Sequence, residues 1–269
     1  MLKIDSIQQP ILSLVRAVTA AILLLISVAA VAEIRLLSTE EPPTNFTYAG
    51  NFTGTTTEMV REIRKRLGWS AKVEVYPWSR AYQIALNAPD VLVFTVGKTA
   101  EREQAGFTFI GPVSTRKHGV FSRIDQAVSD FDAMKDSQEP VAVMRGDWRA
   151  KYLAGEGFSV LDMNNHAQGF RMLMNGRINY WLSSDLEAPM TARSLGYRMA
   201  DIKMVKLIRE SGSYMAFSPG TNPELIQKWR GAFKELQHTD FFDQQRTLWS
   251  NILDAQIEYR PEAGYIVRY

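Results

Sequence analysis

The sequence predicts an α/β protein with two similar halves, and three observations lead to this fold class. Short apolar runs alternate with amphipathic segments from residue 33 onward, as in βαβ units. Residues 91–96 form an unbroken apolar run, which is typical of a parallel strand covered on both faces. The alternation then starts again at Val141, which indicates a second half built like the first.

In the first half, local signals predict the elements in chain order. Residues 34–37 are a predicted strand. Thr55 and Glu58 match a capping box at the start of a helix that Gly68 ends. The apolar face of this helix carries Met59, Ile63 and Leu67. The chain then continues with a strand at 73–76, a helix at 79–86 and the strand at 91–96.

In the second half, Val141–Met144 is a predicted strand, followed by a turn and helix N-cap at Gly146 and Asp147. Two helices are predicted at 148–153 and 170–175, and another strand at 178–182. The longest amphipathic helix lies near the end of the chain, with Leu225, Trp229, Phe233 and Leu236 on its apolar face. No internal repeat with a period of about 20–50 residues is visible, which excludes a solenoid.

Composition narrows the possible partners and cofactors. The chain has 269 residues, of which 46% are hydrophobic, so it can bury a full core. The net charge of +2 gives no reason to expect nucleic acid or an anionic membrane surface as a partner. The histidines His118, His166 and His238 are far apart and lack metal-ligand spacing. We therefore expect a monomer that has no cofactor and no metal site.

Residues 1–32 are predicted to be a signal peptide rather than part of the fold. Lys3 and Arg16 precede an apolar run that ends in Ala30-Val31-Ala32, which matches a cleavage site. A membrane anchor is the alternative, but this run is shorter than the ~20 apolar residues of a spanning helix. The chain contains no cysteine for a disulfide or a lipid anchor. We therefore expect the mature protein free in a bacterial periplasm.

Polar residues at the end of the strand at 91–96 indicate a ligand site, because ligands of open α/β sheets bind outside the carboxyl ends of strands. Thr95 and Gly97 lie at that end, and Arg102 falls in the first turn of the following helix. A cation there opposes the helix dipole, and a bound anion would remove the conflict. On these residues alone, a surface ion pair with a neighbouring glutamate explains Arg102 equally well.

Short motifs then occur in a specific order along residues 33–254. In the first half they are Pro42-Pro43, Gly54, Leu67-Gly68, Thr99-x-Glu101-Arg102, Phe107 and Gly111-Pro112. In the second half they are Arg145-Gly146-Asp147, Gly157-Phe158 and Asn175-Gly176-Arg177-Ile178-Asn179. Together they resemble bacterial family 3 periplasmic solute-binding proteins, the receptors for polar amino acids in ABC importers. No single motif is specific, but their order and spacing are.

The resemblance implies a type II periplasmic-binding-protein fold, in which two α/β lobes are joined by two hinge strands and hold the ligand between them. Lobe 1 would comprise residues 33–115 and 213–269, and lobe 2 residues 116–212. The chain would leave the first lobe near Thr115 and return near Ser213. The implied function is capture of a small carboxylate-bearing solute, an amino acid or a relative, for ABC-transporter membrane subunits.

The resemblance also assigns roles to individual residues. Arg102 matches the arginine that binds the α-carboxylate of the ligand through a bidentate contact. Thr95 lies where first-lobe backbone and hydroxyl groups assist this contact. Gly146 and Asp147 match a turn at a helix N-terminus whose N–H groups bind the same carboxylate.

Other positions depart from the pattern of the family. Gly97 stands where the family usually has Ser or Thr. The acid that binds the α-amino group should fall at Ser184, whereas Asp185 is one residue further on. Glu41 stands just before Pro42, where an aromatic residue usually packs on the ligand, and it is a candidate replacement for the missing acid. A solute other than an α-amino acid is therefore an open alternative.

Trp78 and Arg80 belong to the segment Pro77-Trp78-Ser79-Arg80-Ala81, which resembles one branch of the family. By this resemblance they lie near the mouth of the cleft, where the Trp78 ring is a flat face for stacking or for a cation. The alternative is that Trp78 packs its helix against the core.

Two other function classes remain as alternatives. Some relatives of this fold are dehydratases or lyases, and Glu41 and Asp185 are the candidate catalytic carboxylates. We expect no enzyme, because G-x-S-x-G and cysteine are absent from the sequence. The other alternative is a sensory module, which would need a separate membrane receptor, since no apolar span follows the predicted signal peptide.

Overall fold

A mixed β-sheet forms the framework of the fold. The computed structural model describes residues 34–127 and 131–268. The strands are β1 (Arg35–Ser38), β2 (Phe46–Tyr48), β3 (Asn51–Thr53), β4 (Val73–Val75), β5 (Val91–Gly97), β6 (Thr108–Arg123), β7 (Val141–Met144), β8 (Val160–Met163), β9 (Tyr180–Ser184), β10 (Ile202–Phe217), β11 (Gln256–Arg260) and β12 (Gly264–Arg268). Their main order is β4-β1-β5-β10-β6-β9-β7-β8.

Helices follow most strands, as the alternating pattern predicts. They are α1 (Thr55–Arg66), α2 (Trp78–Asn87), α3 (Ala100–Gln104), α4 (Phe131–Asp136), α5 (Trp148–Gly155), α6 (His166–Met174), α7 (Glu187–Ser194), α8 (Pro223–Leu236) and α9 (Phe241–Leu253). No helix in the described part of the chain has the length and apolarity needed to cross a membrane. The predicted signal peptide lies outside the described residues.

The sheet has two parallel halves on either side of a long antiparallel pair. In the first half β1 pairs in parallel with β4 and β5, and in the second half β7 pairs in parallel with β8 and β9. Between them, β6 and β10 run antiparallel, each for 16 residues. Thr115 pairs with Gly212 and Ser114 with Ser213, so the two predicted crossing points are adjacent. The lobe boundaries themselves stay a prediction.

Apolar side chains on both faces of the central parallel strands form the cores. In β5, Leu92 and Phe94 face one cluster with Trp229, whereas Val91 and Val93 face another. β7 divides its side chains between two clusters in the same way. This two-sided burial explains why residues 91–96 carry no polar alternation except Thr95. Burying one such large apolar side chain, rather than leaving it exposed, stabilises the folded state by about 1.5–3 kcal/mol.

Two predicted helix starts are wrong. Thr55 does not cap α1, because Gly54 holds the N-cap position and the Glu58 carboxylate accepts a hydrogen bond from the Thr53 hydroxyl at 2.6 Å instead. The helix predicted at 170–175 begins four residues earlier, at His166. The Asn165 side chain caps it by accepting from the backbone N–H of Gln168 at 2.8 Å. The strand predicted at 178–182 is β9, which begins at Tyr180 and ends at Ser184.

Gly264 allows the C-terminal hairpin β11–β12 to pack against the end of the first half. Its φ is +69°, and a Cβ atom there would lie 2.2 Å from the carbonyl carbon of Val113. Gly231 is the opposite case, because it lies within α8 and a Cβ atom added there would have no neighbouring atom within 4 Å. The two glycines therefore respond differently to the same added methyl group.

We expect Gly264→Ala to lower the free energy of unfolding by more than about 2 kcal/mol, because the left-handed backbone and the close contact both penalise a side chain. Gly231→Ala should raise it by about 1 kcal/mol through helix propensity. Urea unfolding of the mature chain measures both. Equal stability of Gly264→Ala and the parent would contradict the close approach of this turn to β6.

Candidate functional site

A small cavity lies where the carboxyl ends of β1 and β5 meet β6 and the start of α5. Its volume is about 30 Å³, which is room for a water molecule or two. Six of the predicted site residues line it, namely Glu41, Trp78, Thr95, Gly97, Arg102 and Asp147. Two arginines and two aromatic residues that were not predicted as site residues also line it, namely Arg116, Arg149, His118 and Trp148. Side chains from both halves of the sheet therefore meet at one place.

Arg102 is buried in this cavity wall, with 5% of its surface exposed. Its Nη1 donates to the carbonyl oxygen of Gly97 at 2.5 Å, and its guanidinium lies 4.9 Å from the ring centre of Trp78. The neighbouring Glu101 and Glu103 pair with lysines instead. Among the described residues no carboxylate forms an ion pair with Arg102, so the surface-ion-pair alternative does not hold.

The helix dipole, however, does not explain Arg102. α3 has only five residues, and the backbone N–H of Arg102 already donates to the Thr99 side chain. Burial lowers the pKa of Arg102, while the more distant Asp147 raises it. Desolvation of the guanidinium, rather than the dipole of α3, is therefore the unfavourable term that an anion would offset.

Gly97 and Trp148 occupy complementary places. A Cβ atom on Gly97 would lie 3.1 Å from Nε1 of Trp148 and 3.5 Å from Nη1 of Arg102. The indole N–H and the guanidinium thus border the same space, which a Ser or Thr side chain would fill. The Trp148 ring is held by edge contact with His118 at 5.2 Å and by Arg209, which lies 4.6 Å from its centre. The departure from the family pattern at Gly97 therefore makes room for a second donor.

Five charged residues, four of them buried and Asp147 partly buried, form what we call the ion cluster: Glu41, Arg116, Asp147, Arg149 and Glu187. Nη1 of Arg116 donates to Glu41 and, at 2.5 Å, to Glu187. Arg149 binds Asp147 at 2.7 Å and Glu187 at 3.2 Å. Glu41 follows β1, whereas Glu187 begins α7, so Arg116 connects the two halves of the sheet. Removing one partner of such a buried pair typically costs about 3–5 kcal/mol.

The two glutamates of the ion cluster have pKa values shifted in opposite directions. Burial raises the pKa of Glu41 to about 8 against the attraction of Arg116, and repulsion from Glu187 adds to the rise. Burial acts on Glu187 in the same direction, but Arg149 and Arg116 outweigh it and hold its pKa well below the usual value. At neutral pH Glu41 is therefore protonated and Glu187 is ionised.

His118 is neutral, and its tautomer follows from its partners. Arg149 lies 3.2 Å from Nδ1, which must accept because a guanidinium only donates. Nε2 therefore carries the proton and donates to the Ser211 hydroxyl at 3.0 Å. Burial and the positive charge of Arg149 lower the pKa of His118 to about 3. His118 thus adds no charge to the site near neutral pH.

Gly146 and Arg80 do not line the cavity. The carbonyl oxygen of Gly146 accepts a hydrogen bond from Nε1 of Trp78 at 3.0 Å, which is a direct contact between the two halves. Trp78 also stacks on Tyr82 at 5.5 Å and is buried. It therefore both packs its helix against the core and lines the cavity. Arg80 is exposed, with its guanidinium 4.8 Å from the ring centre of Tyr76.

Ser184 and Asp185 also lie outside the cavity lining. The Ser184 hydroxyl accepts from the backbone N–H of Glu187 at 3.2 Å and so fixes the start of α7. The carboxylate of Asp185 accepts from the backbone N–H of Lys117 at 2.8 Å. The position expected to hold an α-amino group is thus used for local structure, and the buried acid in this region is Glu187.

Part of this site left a signal in the sequence. Arg116 and His118 are buried, and Lys117 between them is exposed, so the period of two along β6 aims both at the interior. Nothing local distinguishes Glu187 or Arg149 from surface charges on helices. Among the side chains that the structure describes, no three His, Cys, Asp or Glu residues are grouped to hold a metal ion.

The model of the bacterial extracellular solute-binding proteins, family 3, matches residues 34–251. The chain belongs to this family. The recognition made from the motifs is thereby confirmed, and the family supports binding of a small solute. No curated protein gives a significant match.

Solved structures of similar fold confirm the fold class of this family 3 protein. A mutant of the arginine-binding protein ArgBP from T. maritima has a TM-score of 0.69 at 18% identity, covering 81% of this chain and 95% of that one. The substrate-binding protein of an amino acid ABC transporter has a TM-score of 0.68 at 21% identity, covering 81% and 99%. A histidine kinase sensor domain with similarity to periplasmic binding proteins reaches 0.71 at 18% identity, covering 80% and 95%. All three support the type II periplasmic-binding-protein fold.

The raised pKa of Glu41 predicts how stability changes with pH. Above pH 4.5, the ordinary pKa, the unfolded state releases the Glu41 proton, whereas the folded state keeps it up to about pH 8. The free energy of unfolding therefore falls as pH rises from about 4.5 to about 8. Glu41→Gln keeps a donor and an acceptor but cannot ionise. Between pH 5 and pH 9 the variant should therefore gain roughly 2 kcal/mol or more relative to the parent.

Chemical denaturation at the two pH values measures this difference. Glu235→Gln, at an exposed position of α8, is the matched control and should show no such gain. If the difference in unfolding free energy between Glu41→Gln and the parent is the same at pH 5 and pH 9, then Glu41 is ionised in the folded protein throughout this range.

Proposed function

We propose that this family 3 protein is a periplasmic receptor that captures a small carboxylate-bearing solute, an amino acid or a relative, for an ABC importer. The observation that carries the proposal is the buried guanidinium of Arg102, which has no ionic partner among the described residues. A guanidinium binds a carboxylate through two parallel N–H···O bonds. An anionic solute at this cation offsets its desolvation, and the Trp148 N–H supplies a further donor beside it.

Capture is proposed to proceed by closure of two lobes. The contacts that join the halves in the described structure include Trp78 to Gly146, Glu101 to Lys151, Arg193 to the carbonyl oxygen of Leu253, and Arg116 to both Glu41 and Glu187. The cavity of about 30 Å³ is far smaller than the roughly 300 Å³ of a typical small-molecule site. Entry of a solute therefore requires these contacts to open, and a solute that touches both lobes favours the closed form.

The environment of the candidate carboxylates favours binding over catalysis. Glu41 is bound to Arg116, and Asp185 accepts from a backbone N–H outside the cavity. Neither is free to act as a general base on a solute near Arg102. We therefore expect bound solute to be recovered unchanged, and proton NMR of the released solute tests this.

A sensory role is the second candidate, because one protein of similar fold is a histidine kinase sensor domain. In that role the closed protein would bind a membrane receptor instead of an importer. Uptake of labelled solute distinguishes the two, since loss of an import receptor abolishes uptake at low solute concentration. A pure sensor leaves uptake by a constitutively expressed importer unchanged.

We expect Arg102→Met to keep the apolar packing of the side chain and to lose the carboxylate contact. A thermal-shift screen against amino acids and other small carboxylates identifies a solute, and calorimetry then measures binding. Arg102→Met should weaken it about 30-fold or more, as loss of a hydrogen-bonded buried charge pair does. Arg102→Lys should restore little, because an ammonium lacks the planar fork.

The exposed Arg80 provides the matched control for Arg102. Arg80→Met should change affinity by less than about threefold, and any change should diminish with salt. Unchanged binding by a folded Arg102→Met protein would contradict the assignment of the anion site.

Closure predicts a distance change between α3 and α5. Glu101 and Lys151 are exposed partners at 2.5 Å across the two halves, and the chain contains no cysteine. Spin labels on Glu101→Cys and Lys151→Cys should give a distance distribution that narrows to its short component when solute is added. Labels at Lys65 and Gln83, both in the first half, should show no change. An unaltered distribution at saturating solute would contradict the clamp.

A further inference from the structure

We infer that the chain's own Arg116 takes the place of the ammonium group in this cleft, so that the solute is a carboxylate without a positively charged amino group. This inference rests on the proposed function and specifies the class of solute for the same site. It makes Arg116 a specificity-determining residue that acts by occupying the acids of the cleft.

The acids of the cavity wall are already bound by guanidinium groups of the chain. Asp147 accepts from the backbone N–H of Arg149 at 2.9 Å through one carboxylate oxygen and from its Nη2 at 2.7 Å through the other. Glu41 accepts from Nη1 of Arg116. An incoming ammonium would share either acid with a guanidinium that repels it, and both guanidinium groups belong to buried side chains.

The acid expected in the second half is also unavailable. Ser184 stands at the expected position, and its hydroxyl accepts from the backbone N–H of Glu187. Glu187 itself is fully buried, lies outside the cavity lining and is bound by both Arg116 and Arg149. The second half therefore presents no free carboxylate to a solute at Arg102.

Counting charges gives the same result. The cleft and the ion cluster contain three guanidinium groups, those of Arg102, Arg116 and Arg149. Glu187 and Asp147 are ionised, whereas burial raises the pKa of Glu41 to about 8, so that Glu41 is neutral at pH 7. The site thus has a net charge of +1, which a monoanion neutralises and a zwitterion does not.

Hydrogen bonding also favours acceptors over donors on the solute. The Nε–H groups of Arg116 and Arg149 are buried and have no acceptor in the part of the chain that the structure describes. Both residues line the cavity. A site with unpaired donors gains from carboxylate or carbonyl oxygens, whereas an ammonium brings three further donors and a like charge.

Matched pairs of probes that differ only at the α-carbon test this inference. The pairs are pyruvate with L-alanine and 2-oxobutyrate with L-2-aminobutyrate, each a monoanion matched with a zwitterion, measured by calorimetry on the mature protein at pH 7. We expect at least one oxo acid to bind, and its amino acid partner to bind at least about tenfold more weakly, because a like charge in a dry site is strongly unfavourable.

Variants then assign the discrimination to Arg116. Arg116→Gln should lower the affinity ratio of oxo acid to amino acid at least about fivefold, because Glu41, which lines the cavity, loses its guanidinium partner and becomes available to an ammonium. The control Arg145→Gln removes an exposed arginine that pairs with Asp162 and should leave the ratio unchanged. Since Arg116 is buried, its variant is compared at a temperature where its circular dichroism matches that of the parent.

The outcomes separate this inference from the proposed function. An amino acid that binds the parent as tightly as its oxo partner overturns the inference and leaves the carboxylate receptor intact. A parent that discriminates equally before and after Arg116→Gln overturns the role of Arg116. If neither the probes nor any other small carboxylate binds, the proposed function fails, and the inference fails with it.

Discussion

The contact of Arg116 with Glu41 and Glu187 is the interaction on which the rest of the site depends. It places a cation, with 2% of its surface exposed, between acids of the two halves of the sheet. Removing these ionisable groups from water carries a large desolvation cost, which mutual attraction and further hydrogen bonds must offset. The protonation of Glu41 and the neutral state of His118 are consequences of this burial, because each reduces the number of charged groups that the interior must hold.

Arg102 also carries a desolvation cost in this interior, and it makes no ion pair with any described residue. Its guanidinium is stabilised by the faces of Trp78 and Tyr82 and by one carbonyl oxygen, which leaves donors available. The cleft therefore combines a set of residues whose charges balance, the ion cluster, with one cation that has no ionic partner among the described residues. Because the ion cluster and Arg102 line the same cavity, the charges of the ion cluster determine which solute charges can be bound beside Arg102.

The fold and the proposed anion site were predictable from the sequence to different degrees. The apolar run in β5 and the alternation of elements predict the parallel halves, since two-sided burial leaves a local trace. The motif around Arg102 likewise identifies its position. The ion cluster leaves little trace, because the period of two along β6 places Arg116 on the inward face but nothing local marks its partner Glu187, which is 71 residues away. The pairing of Gly97 with Trp148 is equally invisible, since each matters only through the contact with the other.

A preformed ion cluster also changes what a solute must contribute to closure. In the proposed clamp, apparent affinity is reduced by the fraction of protein that is not in the binding-competent state. Contacts such as Trp78 with Gly146 and Arg116 with Glu187 raise the closed fraction without a solute. The solute then needs to supply less free energy for closure, but it must enter through a state in which those buried charges are exposed. A receptor built in this way selects solutes by charge rather than by size, because the charges of the cavity wall already balance one another except at Arg102.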